Sequence, residues 1–164
     1  MKKLLLLTLL ATNAFANPEA FSKLKTLAGT WEGSMTTTPQ VPSIEGTAAR
    51  VTLRVTSMGH VLMHEMTGEG REDDPITMLY LQDEHLALTH YCDAGNRPRM
   101  NGTVSDDGKS VAFESVEVDG STEHGHMHKA VFTFVDETRH IEEWTYMLPG
   151  SKPMKVRVEL RRVP

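Results

Sequence analysis

The sequence predicts an all-β protein: an antiparallel up-and-down β-barrel of about ten strands, with one short N-terminal helix. Three observations predict it. From Trp31 onward apolar residues recur at every second position, the period of a strand that buries one face. The segments are joined by short polar connectors rich in turn formers, which make consecutive strands antiparallel neighbours. A single segment, ahead of all the strands, repeats at helical spacing instead. The competing arrangement is a two-sheet sandwich.

That first segment is "NPEAFSKLKTLAG", residues 17 to 29. Asn17 can cap it, Pro18 suits a first turn, and Phe21, Leu24, Leu27 and Ala28 fall three and four residues apart until Gly29 ends the run. A strand beginning at Trp31 is followed by "ARVTLRVTS", "HVLMHEM", "ITMLYLQ", "HLALTHYC", "GTVS", "SVAFESVEV", "KAVFTFV", "HIEEWTYML" and "MKVRVELRRV". The connectors "DE" (83–84), "DDG" (106–108), "DET" (136–138) and "PGSK" (149–152) read as hairpin turns. "TTTPQVPSIEG" (36–46) and "GEGREDD" (68–74) read as longer loops. In the last strand alternation puts Val156, Val158, Leu160 and Arg162 on one face, so a guanidinium follows the apolar side and needs a partner such as Trp31.

Residues 1–16 have the pattern of a cleaved signal peptide: Lys2 and Lys3, the apolar run "LLLLTLLA", and the small-x-small triplet "AFA". The run is shorter than the ~20 residues a membrane span requires, and no cysteine follows the cleavage site to carry a lipid. The expected product is an exported protein, periplasmic or extracellular, whose residues 17–164 form one barrel domain. The formal charge of −5 becomes more negative once the two leader lysines are gone, which disfavours nucleic acid as a partner. Cys92 is the only cysteine, so no internal disulfide forms and both a monomer and a homodimer remain open.

The segment "LAGTWEG", 27 to 33, followed at the far end of the chain by Arg162, resembles the calycin superfamily of lipocalins, fatty-acid-binding proteins and nitrobindin-like haem barrels. The resemblance implies that Trp31 closes one barrel end with Arg162 packed across it. "THYCDAGNRPRM" (89–100) and "GHMH" (125–128) are similar to a family of secreted bacterial lipocalin-like proteins that carry both motifs in this order, a family to which no activity is attached. The likeness to nitrobindins implies haem held by a histidine inside the barrel. None of His124, His126, His128 or His140 aligns with that ligand, so haem stands as an alternative.

On "HLALTHYC" alternation puts Leu86, Leu88, His90 and Cys92 on one face and Tyr91 on the other. His124, His126 and His128 share a face that continues, by strict alternation, into Ala130, Phe132 and Phe134. If both faces point inward, His90, Cys92, His124, His126 and His128 form a candidate zinc or copper set, since imidazole and thiolate suit those ions. Coupled titration of the triplet is expected to lower some of its pKa values. Arg99, which begins a strand, is a candidate for orienting a ligand's polar end, with Tyr91 and Trp144 as further lining candidates. Glu142 shares a face with Trp144 and Tyr146. The ten methionines are expected to fill core or form an adaptable pocket wall.

The expected function is binding of a small, hydrophobic or amphipathic molecule, its polar end held by histidine and arginine. Catalysis is the less favoured class, because neither a phosphate-binding loop nor a nucleophile elbow occurs. The alternatives are a haem- or metal-binding barrel with redox or isomerase activity, a metal-dependent hydrolase, and a filled barrel that engages a protein partner through its surface.

Overall fold

In the computed structural model, which describes residues 17–70 and 74–164, the period-two segments pair with their sequence neighbours and the last returns to the first. The signal-peptide expectation lies outside the described residues. Among them are one α-helix, α1 (Asn17–Lys25), and ten strands: β1 (Gly29–Thr38), β2 (Ala48–Thr56), β3 (Val61–Gly68), β4 (Ile76–Gln82), β5 (His85–Tyr91), β6 (Arg97–Val104), β7 (Ser110–Asp119), β8 (His126–Asp136), β9 (Arg139–Leu148) and β10 (Lys152–Arg162). Every pairing is antiparallel, and β1 against β10 closes the barrel. The expected fold class is the observed one.

Turn chemistry sets the register where connectors are short. Asp83 and Glu84, at φ 48° and 65°, form a two-residue turn of the kind that matches strand twist, leaving Gln82 opposite His85. The sequence expectation began β6 too late: Arg97 and Pro98 already pair with Asp119 and Val118. Pro98 is tolerated where it costs no ladder donor.

One end of the barrel is shut by the contacts that Trp31 and Arg162 make. These residues lie opposite each other in the β1–β10 register, with the guanidinium carbon 4.1 Å from the indole centroid. Arg162 donates to the carbonyls of Glu137 (Nε, 3.1 Å), Ala28 (Nη1, 2.8 Å) and Thr26 (Nη2, 2.9 Å), tying the last strand to the helix exit. The indole N–H of Trp31 donates to Leu27 O at 2.8 Å. Gly29 has φ +137°, and a Cβ there would sit 2.6 Å from Arg162 Nη1, which explains why glycine stands two residues before this tryptophan.

From this closed end inward the barrel is packed with hydrocarbon: Leu53, Leu62, Leu79, Leu88, Phe113, Phe132 and Leu160 are each 2 % exposed or less. Phe21 and Leu24 of α1 join the same core. The filling is not continuous to the other end.

Candidate ligand site

Half-way along the interior the side chains turn polar. Glu142 on β9 follows the inward parity of His140 and Trp144 and is 0 % exposed. Its carboxylate accepts three N–H groups: His140 Nε2 at 2.9 Å on one oxygen, and His64 Nε2 at 2.9 Å and Trp144 Nε1 at 3.0 Å on the other. Burial pushes the Glu142 carboxyl up, but attraction from His64 and the hydrogen bonds from both histidines outweigh it and hold the group well below the usual carboxylate range. Nδ1 of His64 and of His140 has no hydrogen-bond partner. His140 stands edge-on to Trp31, ring centroids 4.2 Å apart, so the network links the closed end to the middle of the barrel.

Beyond Trp144 the interior opens into a cavity of about 440 Å³, within the ~300–1,000 Å³ of ordinary small-molecule sites. Its inner end is made by His64, Thr77, His90 and Trp144. Its walls are Met35, Met66, Met127, Met154 and Val156, and its mouth is made of loop and strand-end residues including Ile44, Glu69, Pro75 and Asp93. Among the described lining residues there are two carboxylates, Glu69 and Asp93, and no lysine or arginine.

His90 is 3 % exposed, and burial, with His64 nearby, lowers its pKa to about 4 against a smaller opposing pull from Asp93, so the ring is neutral near neutral pH. Its Nδ1 lies 2.8 Å from the hydroxyl of Thr77, itself 0 % exposed. The Thr77 hydrogen meets no other acceptor. Were Nδ1 the protonated nitrogen, that hydroxyl hydrogen would be buried without a partner, at a cost of about 1–3 kcal/mol. Of the two tautomers this contact allows, the one with the hydroxyl donating to Nδ1 and the ring hydrogen on Nε2 avoids that cost. That nitrogen makes no hydrogen bond to another of the described residues.

The residues singled out from sequence divide sharply in position. His90, Cys92 and Trp144 line the cavity. Cys92 is half-buried, its thiol donating to Asp93 Oδ1 at 3.5 Å, and burial pushes its pKa up. Tyr91 is 48 % exposed on the outer face. Arg99 is exposed and ion-paired to Glu117 at 2.6 Å, with Arg97 paired to Asp119 in the same way, so neither arginine reaches the interior.

The late histidines are not brought to the cavity. His124 is exposed in the turn before β8, its carbonyl accepting from Tyr146 Oη at 2.9 Å. In β8, Met127 pairs with Tyr146 but Lys129 pairs with Thr145, so His128 is an extra residue at a bulge. The bulge inverts the alternation: Met127 faces the cavity, Ala130 is the next inward residue beside Trp144, and His126 and His128 drop out of the inward row. Their rings lie 6.0 Å apart, and burial followed by repulsion from His128 lowers the pKa of His126. No three His, Cys, Asp or Glu side chains among the described residues are grouped as a metal would need.

Sequence reasoning missed His64 and Thr77. Their signal was parity alone: His64 stands between Leu62 and Met66 on β3, and Thr77 precedes Leu79 by two on β4, both on apolar faces.

No family model matches this sequence, and no curated protein matches it. Among solved structures the fold is similar to Rv2717c from M. tuberculosis, with TM-score 0.58 and 15% identity over 88% of this chain and 98% of that one. It is also similar to a protein of unknown function of the DUF3598 family from Nostoc punctiforme, with TM-score 0.57 and 10% identity over 85% of this chain. The match spans about half, 49%, of the Nostoc protein's length. At these identities the likeness shows the β-barrel fold alone.

Proposed function

We propose that this protein is an exported carrier or sensor that holds one small, largely apolar molecule in the open half of its barrel, with the molecule's polar end at the inner wall. The observation that carries the reading is the cavity of about 440 Å³ combining a methionine-rich wall with one inward imidazole nitrogen that lacks a protein partner. A wall rich in flexible thioethers adapts to irregular apolar shapes. An unmet hydrogen-bonding group at the inner end supplies orientation. In this reading histidine alone meets the polar end, because Arg97 and Arg99 of β6 are engaged with acidic partners outside.

Among the described residues the cavity is a poor match for haem: the Nε2 lone pair of His90 is available to iron only with the ring hydrogen on Nδ1, where the Thr77 hydroxyl would have to accept rather than donate. The described lining also offers no basic side chain for haem's two carboxylates.

Native mass spectrometry of protein purified from its producing cell, and again after removal of bound lipid and addition of apolar probes, tests the reading. It predicts one small organic molecule per chain in the first sample and single-equivalent uptake in the second. Val156→Trp, which places an indole on the cavity wall, should abolish both. A chain that carries and takes up nothing, or a Val156→Trp variant that binds as the parent does, would contradict it.

A further inference from the structure

Sulfur gathers on the wall of the cavity. Met35, Met66, Met127 and Met154 line it, whereas the packed half is built of leucine and phenylalanine, with Met100 among them at 0 % exposure. The register sets two of the four in one row, since Met127 and Met154 pair with Tyr146 from opposite sides. Met66, Met127 and Met154 are partly exposed, and Met35 is 9 % exposed. Filling this volume does not require sulfur, because leucine and methionine are close in size and exchange in packed interiors at small cost. Flexibility suits an adaptable wall; the sulfur atom adds a reactivity that leucine lacks.

Hydrogen peroxide, small enough to enter such a cavity, transfers one oxygen atom to a thioether. An S–O bond forms and the O–O bond breaks; the sulfur gives up two electrons, and the second oxygen leaves as water with both peroxide hydrogens. The sulfoxide is polar where the thioether was apolar. The wall has few hydrogens to meet it, because Trp144 Nε1 and His64 Nε2 already donate to Glu142. An apolar ligand entering an oxidised cavity would have to strip water from as many as four sulfoxide oxygens.

We propose that Met35, Met66, Met127 and Met154 form an oxidation-sensitive wall: hydrogen peroxide converts them to sulfoxides while the cavity is empty, and the oxidised wall no longer takes up the apolar ligand. The inference rests on the cavity being the binding site. It adds a modification site and couples loading of the barrel to the oxidant around it. Ligand and peroxide compete for the same sulfurs, so an occupied barrel is protected and an empty one is not. Two other methionines calibrate the reaction: Met58, in the turn between β2 and β3, is 100 % exposed, and Met100 is 0 % exposed.

The test treats the delipidated parent protein with hydrogen peroxide, maps every methionine and Cys92 by peptide mass spectrometry, and follows the affinity for N-phenyl-1-naphthylamine, an uncharged fluorescent apolar probe. Met66, Met127 and Met154 should oxidise after Met58 and well before Met100, with Met35 the slowest of the four. Probe affinity should fall at least about tenfold in step with them, the scale of burying unmet polar groups. The loss should persist after dithiothreitol, which returns a sulfenic acid or disulfide at Cys92 to the thiol and leaves sulfoxides in place. Bound probe should slow oxidation at the four cavity positions and not at Met58. A chain carrying Met35→Leu, Met66→Leu, Met127→Leu and Met154→Leu together should keep its own starting affinity through the same treatment. Cavity methionines as resistant as Met100, an oxidised parent that binds the probe as before, an affinity restored by dithiothreitol, or a leucine variant that loses affinity in peroxide would each overturn the inference and leave the binding site standing. An untreated parent that takes up no probe would overturn the binding reading itself. Mapping and affinity are read on the parent chain, so a misfolded leucine variant does not rescue the idea.

Discussion

Glu142 is a carboxylate at 0 % exposure whose two oxygens meet three N–H donors. An ionised group so deep is stable only while all three remain. Glu142→Gln replaces one accepting oxygen by an NH₂ group that faces an existing donor. It should cost about 3 kcal/mol, in keeping with breaking one side of a buried ion pair, measured by urea unfolding near neutral pH.

His90 gives the protein a pH dependence whose sign follows from the direction of its shift. Its folded pKa of about 4 lies below the ordinary value of 6.5, so the unfolded chain binds the extra proton first as pH falls. The stability it contributes is complete above about pH 6.5 and is lost as pH falls through about 4, a change of about 3 kcal/mol. Glu142, also depressed, removes more stability below its unfolded value of about 4.3. Unfolding free energy should therefore fall steadily from about pH 6.5 to about pH 4, and His90→Asn should flatten that span while keeping the steeper loss below it. An unchanged profile in His90→Asn would mean that the ring is not buried neutral.

At the scale of elements, strict alternation was legible wherever a strand is regular. It correctly aligned His90 with Leu86 and Leu88, and Glu142 with Trp144, because those strands carry no bulge at these positions. It failed in β8, where the extra residue at His128 turns the histidine row away from the phenylalanines. A bulge has no signature in apolar spacing, since the residues on either side keep their own period of two. Arg99 was misread for a related reason. A guanidinium at a strand start fits either face, and its acidic partner, Glu117, lies on a neighbour whose register breaks between Arg99 and Met100.

The bulge is braced by Gly125, which has φ +91° and would place a Cβ 2.4 Å from Met147 O and 2.6 Å from Tyr146. Gly150 has φ +78° with nothing within 4 Å. Gly150→Ala should cost only the left-handed backbone penalty, about 1–2 kcal/mol. Gly125→Ala adds a backbone collision to that penalty and should cost clearly more, read as a larger drop in denaturation midpoint. Equal costs would mean that the β8–β9 contact at the mouth yields easily.

For the whole molecule, closure was legible because hairpin connectors leave little choice of neighbours, and the Trp31–Arg162 pair marks the end that is shut. What the sequence does not encode openly is where the filling stops. Leucines and phenylalanines pack the closed half, while four methionines and two histidines line the open one, and side-chain volume along the axis decides the difference only once ten strands are in register.

The two tryptophans lie on opposite sides of that boundary: Trp144 lines the cavity, and Trp31 is sealed against Arg162. Fluorine NMR of protein labelled with 5-fluorotryptophan therefore gives one reporter in each half, assigned with Trp144→Phe. Titration with an apolar probe should move the Trp144 resonance saturably at one equivalent and leave Trp31 in place. Resonances that never move, or that move together without saturation, would contradict a ligand held in the open half of the barrel.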